Sequence, residues 1–356
     1  MKKHLIPLCC LLALLLTACG AETFLPMEPS APENYEIALI TAVDGLSDAV
    51  SAAVWSGIQN YAPAQELSCQ YYTPPGRNYP SAIEQALSQG AKLIICPLSE
   101  QSSAAYEAQL AHPDTCFLLL DALPDAESDQ SGLGKHTQAI LFNETEAGFL
   151  AGYVAVRDGY TKLGFCGDKD SQSYGYGFLQ GVDAAANELG VEVEMHFATT
   201  DEVPQGKSIL SLVYPWYSEG TEIIFACGKE TLRPVCISAE ATGKAVIAAD
   251  VDQSEFSGAI ILSVMKDLEK VIAEEIAAYQ TGDFPCSVRA ADLASGEIGL
   301  SINYSLLARF TQEQYAALVE EINAGKYQIQ ACPEAVFSPT ALATPVVKII
   351  FPDEKE

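Results

Sequence analysis

The chain has 356 residues, with 19 Lys and Arg against 47 Asp and Glu, for a formal net charge of −28. So acidic a surface repels phosphate backbones, which sets nucleic acid aside as a partner. With 49% apolar and 19% charged residues, the composition fits one large or two smaller globular domains rather than a disordered chain.

At the start, Lys2 and Lys3 precede an apolar run over 5–16 that is too short to span a bilayer as a mature helix. The run ends in Leu16-Thr17-Ala18-Cys19-Gly20. Residues 1–18 read as a targeting segment, and the Cys after small residues resembles the lipobox of bacterial lipoproteins. In those proteins the Cys becomes the lipidated first residue. The expectation is therefore an extracytoplasmic protein anchored to the bacterial cell membrane through Cys19 alone. Residues 19–34 are rich in Pro, Glu and Ala without periodicity, as in a flexible tether. Of the eight Cys that remain beyond Cys19, none forms a CxxC, and Cys96, Cys166 and Cys227 end or sit inside apolar runs. Mostly free thiols are expected.

From Tyr35 onward, short apolar or β-branched runs alternate with amphipathic stretches. The runs predict strands at 37–43, 67–73, 92–97, 116–121, 138–143, 162–167, 191–197, 222–227, 245–250 and 259–264. Helices are predicted between most of them, for example at 47–61, 82–89, 144–156, 175–189 and 266–279. Strands separated by helix-length crossovers argue for parallel α/β sheets with helices on both faces. About ten strands with a break near 142–145 argue for two lobes. Ligands of such sheets bind beyond the carboxyl ends of the strands, where Asp121, Asn143, Gly228 and Asp250 fall. The small residues of 142–153 (FNETEAGFLAGY) predict a helix packed closely on a sheet. In the last segment, 331–356, VVKIIF is either an added edge strand or loose.

Catalytic motifs are missing. Gly206-Lys207-Ser208 lacks the upstream Gly of a phosphate loop, since position 201 is Asp, and reads as a helix start. There is no GxSxG elbow, and His4, His112, His136 and His196 form no metal-ligand cluster. At the end of the run Val246–Ala249, Asp250 and Asp252 stand two apart. Without a nucleophile, base or His/Cys ligand beside them, Asp250 suits a hydroxyl acceptor better than catalysis or metal binding, with Asp252 a loop residue beyond it.

Seven stretches carry a more specific signal: FNETEAGFLAGY (142–153), GFCG (164–167), GFLQGVDAA (177–185), IIFACG (223–228), AADVDQ (248–253), ILSVMK (261–266) and GEIGLSIN (296–303). Their order and spacing, after a lipobox, resemble the basic membrane protein (Med/PnrA-like) family of substrate-binding lipoproteins of ABC transporters. The resemblance covers roughly 35–329 and is strongest over 142–303. It implies a type I periplasmic-binding-protein fold, with two Rossmann-like lobes joined by a three-segment hinge. The first lobe would hold 35–142 and about 265–295, the second 143–264 and about 296–330, with 331–356 as a C-terminal extension. It also implies a monomer with no enzymatic activity and no cofactor, which delivers a nucleoside or related small molecule to a permease and its ATPase.

Carried over residue by residue, Asp250 falls where the family's Asp holds ribose hydroxyls, and Lys266 matches a Lys reaching into the cleft. Gly228 matches a Gly that lets backbone approach the ligand, and Phe225 falls near a base-stacking ring. The first lobe departs from the family's D-x-G-G-x-x-D-x-S-F-N. Asp48 persists, but Ala42, Val50 and Ser51 replace the Asp, the stacking Phe and the Asn. Asp44, Ser51, Ser99 and Glu100 remain polar candidates there, with Asn143 a further candidate at its strand end, and Trp55, Tyr72, Tyr174 or Tyr176 are candidate replacement rings. The departure puts purine preference in question. It keeps open a ligand-sensing lipoprotein or a changed ligand such as a sugar; an exported hydrolase is a weaker rival.

Overall fold

The computed structural model describes residues 34–124, 132–200, 203, 208–333 and 344–352. The targeting segment, the tether up to residue 33 with Cys19, and residues 206 and 207 of the GKS stretch lie outside these described residues. In chain order the strands are β1 (Ile37–Ile40), β2 (Cys69–Tyr72), β3 (Leu93–Cys96), β4 (Cys116–Leu120), β5 (Thr137–Phe142), β6 (Lys162–Gly167), β7 (Val193–Thr199), β8 (Ile223–Cys227), β9 (Ala245–Ala248), β10 (Ile260–Lys266), β11 (Val288–Ala291), β12 (Ile298–Ile302) and β13 (Val347–Ile350). The helices are α1 (Ala49–Tyr61), α2 (Tyr79–Ser88), α3 (Ser102–Ala111), α4 (Glu144–Asp158), α5 (Gln172–Leu189), α6 (Ile209–Glu219), α7 (Leu232–Thr242), α8 (Leu268–Thr281) and α9 (Gln312–Asn323).

Two sheets result. The first runs β11-β5-β4-β3-β1-β2, with every pair parallel. The second runs β12-β10-β9-β8-β6-β7-β13 and is parallel except where β12 meets β10. The central strands IALI, LIIC, IIFAC and AVIA are buried at every residue, as strands covered by helices on both faces must be. Read from β11 and from β12, the two orders correspond, so β4 and β9 occupy equivalent third places. That equivalence sets the site.

Each of the ten expected strands is present. The helix expected from residue 266 begins instead at Leu268, because β10 runs through Lys266, whose N–H donates to the Asp250 carbonyl at 2.9 Å. Strands β11 and β12 were not expected, and β13 is the edge-strand alternative for VVKIIF. Within 331–356, β13 adds a parallel edge strand beside β7, while 334–343 and 353–356 lie outside the described residues.

The small residues of α4 meet a helix, not a sheet. Gly148 and Gly152 face the backbone of α5 at Tyr174 and Phe178, and Gly177 and Gly181 of α5 face α4 at Thr145 and Phe149. A Cβ on any of the four would overlap a carbonyl oxygen of the opposite helix, so two helical backbones lie in direct contact. This corrects the sheet-packing expectation: helical spacing reveals a smooth face but not what covers it.

The chain crosses between the sheets three times, at Asn143 between β5 and α4, at Asp267 between β10 and α8, and over 292–297 between β11 and β12. Arg289 of β11 pins the third crossing. Its guanidinium reaches both oxygens of buried Glu297 at 2.8 Å and Glu275 of α8 at 3.1 Å. Such fork-to-fork pairing fixes orientation as well as distance. All eight cysteines in the described residues are free, four of them buried. Among the described residues no helix is long and apolar enough to cross a membrane.

Gly152→Ala tests the helix contact. Alanine gains about 1 kcal/mol of helix propensity, but overpacking costs about 1–3 kcal/mol or more. Denaturant unfolding is expected to show net destabilisation; an unchanged or raised midpoint would mean the helices part freely.

Candidate functional site

The carboxyl ends of β4 and β9 each deliver an aspartate with left-handed backbone, Asp121 at φ 53° and Asp250 at φ 71°. Glu66 is the one other non-glycine residue with positive φ among the described residues. That conformation is uncommon outside glycine and clusters where a side chain must be aimed. Both carboxylates are aimed at one ammonium. Lys266 Nζ, at the end of β10, lies 2.6 Å from Asp121 Oδ2 and 2.7 Å from Asp250 Oδ1. A third acid, Glu144, enters from the first turn of α4 at 3.1 Å. Tyr174 of α5 donates its hydroxyl to Asp250 Oδ1 at 3.0 Å, and the rings of Tyr174 and Phe142 lie 5.5 and 5.6 Å from Lys266 Nζ.

The electrostatics follow from burial opposed by charge. Burial alone would lower the Lys266 pKa, yet Asp121, Asp250 and Glu144 hold it well above the ordinary range. Burial opposes ionisation of Asp250 too, but the Lys266 charge and hydrogen bonds from Lys266 and Tyr174 leave its pKa below the usual value. Glu144 goes the other way. Burial, reinforced by Asp121 and Asp250, outweighs Lys266 and pushes it up to about 8.

The other sequence-derived candidates are scattered. Asp48 caps α1, accepting from the Ser51 N–H at 2.8 Å, and buried Ser51 Oγ accepts from the Ala42 N–H at 3.0 Å. Both side chains build the loop in which Ala42 replaces the family's Asp. Asn143 caps α4 through the Glu146 N–H at 3.2 Å. Ser99 is exposed at the start of a short 3-10 turn, and Glu100 accepts from the Tyr79 hydroxyl. Asp44 reaches across the cleft to Lys229, just past β8, at 2.6 Å. Both partners are more than half exposed, so this contact closes the rim weakly.

Gly228 has φ 95°, and a Cβ there would overlap the Asp168 carboxyl group, so the close approach it permits is to Asp168. Phe225 departs from the stacking expectation. It is fully buried, with its ring edge-on to Phe165 and Tyr174, because β8 is covered on both faces. Of the candidate replacement rings, Trp55 stands edge-on to Tyr71, Tyr72 bonds Gln89 and Tyr176 bonds Gln330, which leaves Tyr174 at the cluster.

Glu144 is a member the sequence did not single out, and Asp121 was marked only by its place at a strand end. A signal for Asp121 existed, since CFLLLD and AVIAAD share the pattern of an apolar strand ending in acid. An interlobe cavity of about 670 Å³ opens beside the cluster, with Ala52 and Ser56 of α1, Leu300 of β12 and Tyr315 of α9 in its walls. It touches Lys266 but none of the three carboxylates.

A raised Glu144 pKa makes stability depend on pH with a definite sign. The folded protein holds this proton more tightly than the unfolded chain, so the contribution is full below about 4.5 and is lost as pH rises through about 8. Between pH 6 and pH 9 the wild type is expected to lose on the order of 2 kcal/mol that Glu144→Gln does not lose. Melting curves at the two pH values check this, and parallel losses in both proteins would contradict it.

Residues 36–331 match the family model described as ABC transporter substrate-binding protein PnrA-like. Among solved structures, a solute-binding protein of an ABC transporter system from Aeropyrum pernix K1 is similar, at 16% identity and a TM-score of 0.67, over 84% of this chain and 94% of that one. One from Conexibacter woesei DSM 14684 has 17% identity and a TM-score of 0.67, over 83% and 99%. A transcriptional activator of the comK gene from Bacillus halodurans has 15% identity and a TM-score of 0.66, over 84% and 100%. At these identities the likeness shows the fold, a two-lobed type I periplasmic-binding-protein-like architecture. No curated protein matches the sequence. The family binds solutes and is not catalytic, and among the described residues no group of three or more His, Cys, Asp or Glu could hold a metal ion. With the match covering all three crossings and every strand but β13, the chain belongs to the PnrA-like family of ABC transporter substrate-binding proteins.

Proposed function

We propose that this protein is the lipid-anchored receptor of an ABC importer and that it closes on a small hydroxylated solute of the nucleoside or pentose class. The observation that carries the reading is the meeting of Asp121 and Asp250, from equivalent strand ends of the two sheets, at Lys266. Ionised carboxylates accept hydrogen bonds only, so they suit adjacent hydroxyl groups, and a solute touching both would favour the closed form. Delivery to a permease and ATPase follows from the family role, and anchoring rests on Cys19.

The first-lobe loop favours a second reading, a ligand-sensing lipoprotein. There the family's Asp, Phe and Asn are Ala42, Val50 and Ser51, and Asp48 and Ser51 are engaged within the loop. Flanking genes for a permease and ATPase would favour the importer, and their absence the sensor.

A thermal-shift screen of nucleosides, bases, pentoses and oligosaccharides tests the solute class, since a ligand of the folded state raises the melting temperature. Nucleosides or pentoses are expected to score. Against such a ligand, Asp250→Ala and Asp121→Ala are each expected to weaken binding about tenfold or more, the loss of a charge-assisted hydrogen bond. Unchanged calorimetric affinity in both variants would remove the cluster from the ligand site. Expressed in a bacterial host, Cys19→Ala should move from the membrane fraction to the soluble one, and continued membrane retention would overturn the anchor.

A further inference from the structure

Around Lys266, donors and charges are unequally matched. An ammonium has three N–H donors, and Lys266 faces three carboxyl groups at 2.6, 2.7 and 3.1 Å. No donor is left for a ligand. Exposure points the same way, because the Lys266 side chain is 8% accessible, against 27% for Asp121, 28% for Asp250 and 19% for Glu144. What the cluster presents to an incoming molecule is therefore carboxyl oxygen, with the cation behind it. Even with a proton on Glu144, two carboxylates stand against one ammonium.

The surroundings do not restore the balance. Asp168, packed against Gly228, adds another acid that acts on Asp250. Lys229, on the β8 side of the cleft, is tied to Asp44 at 2.6 Å and also feels Asp48 and Glu100. Arg77, which is largely exposed, faces Glu100 at 4.0 Å.

We infer that the site selects a solute bearing a protonated amine beside its hydroxyl groups, an amino sugar or amino nucleoside, and rejects phosphorylated ones. The inference rests on the solute-binding reading above and specifies its ligand. The amine donates to Asp121 or Asp250 and cancels the surplus negative charge, while the hydroxyls use the remaining carboxyl lone pairs. A phosphate would meet acceptors of its own sign with no free donor to offset them.

Calorimetry at pH 7 on matched pairs tests this: glucosamine against glucose, 3′-amino-3′-deoxyadenosine against adenosine, and adenosine monophosphate as the anion. In at least one pair the amine is expected to bind about tenfold or more tighter than its neutral partner, from one charge-assisted hydrogen bond. Asp121→Asn should shrink that ratio, because it removes a charge and keeps the shape; Asp250→Asn is a second charge-removing variant if the first does not fold. Neutral partners binding as tightly as their amines in every pair that binds, or the monophosphate binding more tightly than adenosine, overturns the inference and leaves the hydroxylated-solute reading standing. If no member of any pair binds, both fall.

Discussion

The structure turns on a buried ammonium that belongs to neither lobe alone. Lys266 ends a strand of the second sheet and stands at a crossing into the first. Taking an ammonium out of water costs several kcal/mol, and only close, well-oriented acids offset it. Asp121 arrives from the first sheet, Asp250 from the second and Glu144 from the helix begun at another crossing. Removing Lys266 would leave three carboxyl groups facing one another, so the residue that joins the lobes also keeps the acidic site together. The two left-handed aspartates are the strained backbone that this geometry requires.

Other features hold these groups to one another. The glycine-lined contact between α4 and α5 sets the position of Glu144 at one end of α4 and of Tyr174 on the facing helix. The Arg289 fork on Glu275 and Glu297 fixes the third crossing. Its neighbour Asp267 donates its N–H to the Glu297 carbonyl at 2.7 Å, which ties the third crossing to the second beside Lys266. Backbone contact and paired charge thus brace the hinge from two sides, while the Asp44–Lys229 pair at the cleft rim is exposed and weak. A clamp that opens at the rim and keeps its hinge is the motion such an arrangement permits.

Much of the fold was legible because central strands buried on both faces must be apolar throughout. IALI, LIIC and CFLLL announce themselves. VRAA and IGLSI do not, because β11 and β12 are short edge strands whose partners precede them by more than a hundred residues or lie antiparallel. At the site, Asp250 and Lys266 were readable from motifs, and the structure brings them together. Asp121 lies 145 residues from Lys266, and what aims it is a single backbone angle that its neighbours in sequence do not betray. Phe225 shows the opposite failure: a ring in a family-like position looks like a ligand platform until the second covering layer of its strand is known.

The first-lobe loop, where Ala42, Val50 and Ser51 stand, uses Asp48 and Ser51 to cap and brace α1. Recognition therefore concentrates on the acids around Lys266, with Tyr174 as the nearby ring. The most direct test is a crystal structure with the solute that gives the largest thermal shift. The account predicts ligand donors within hydrogen-bond distance of both Asp121 and Asp250, between closed lobes. Density for the solute in the cavity between Ser56 and Tyr315, with the two aspartates untouched, would contradict it.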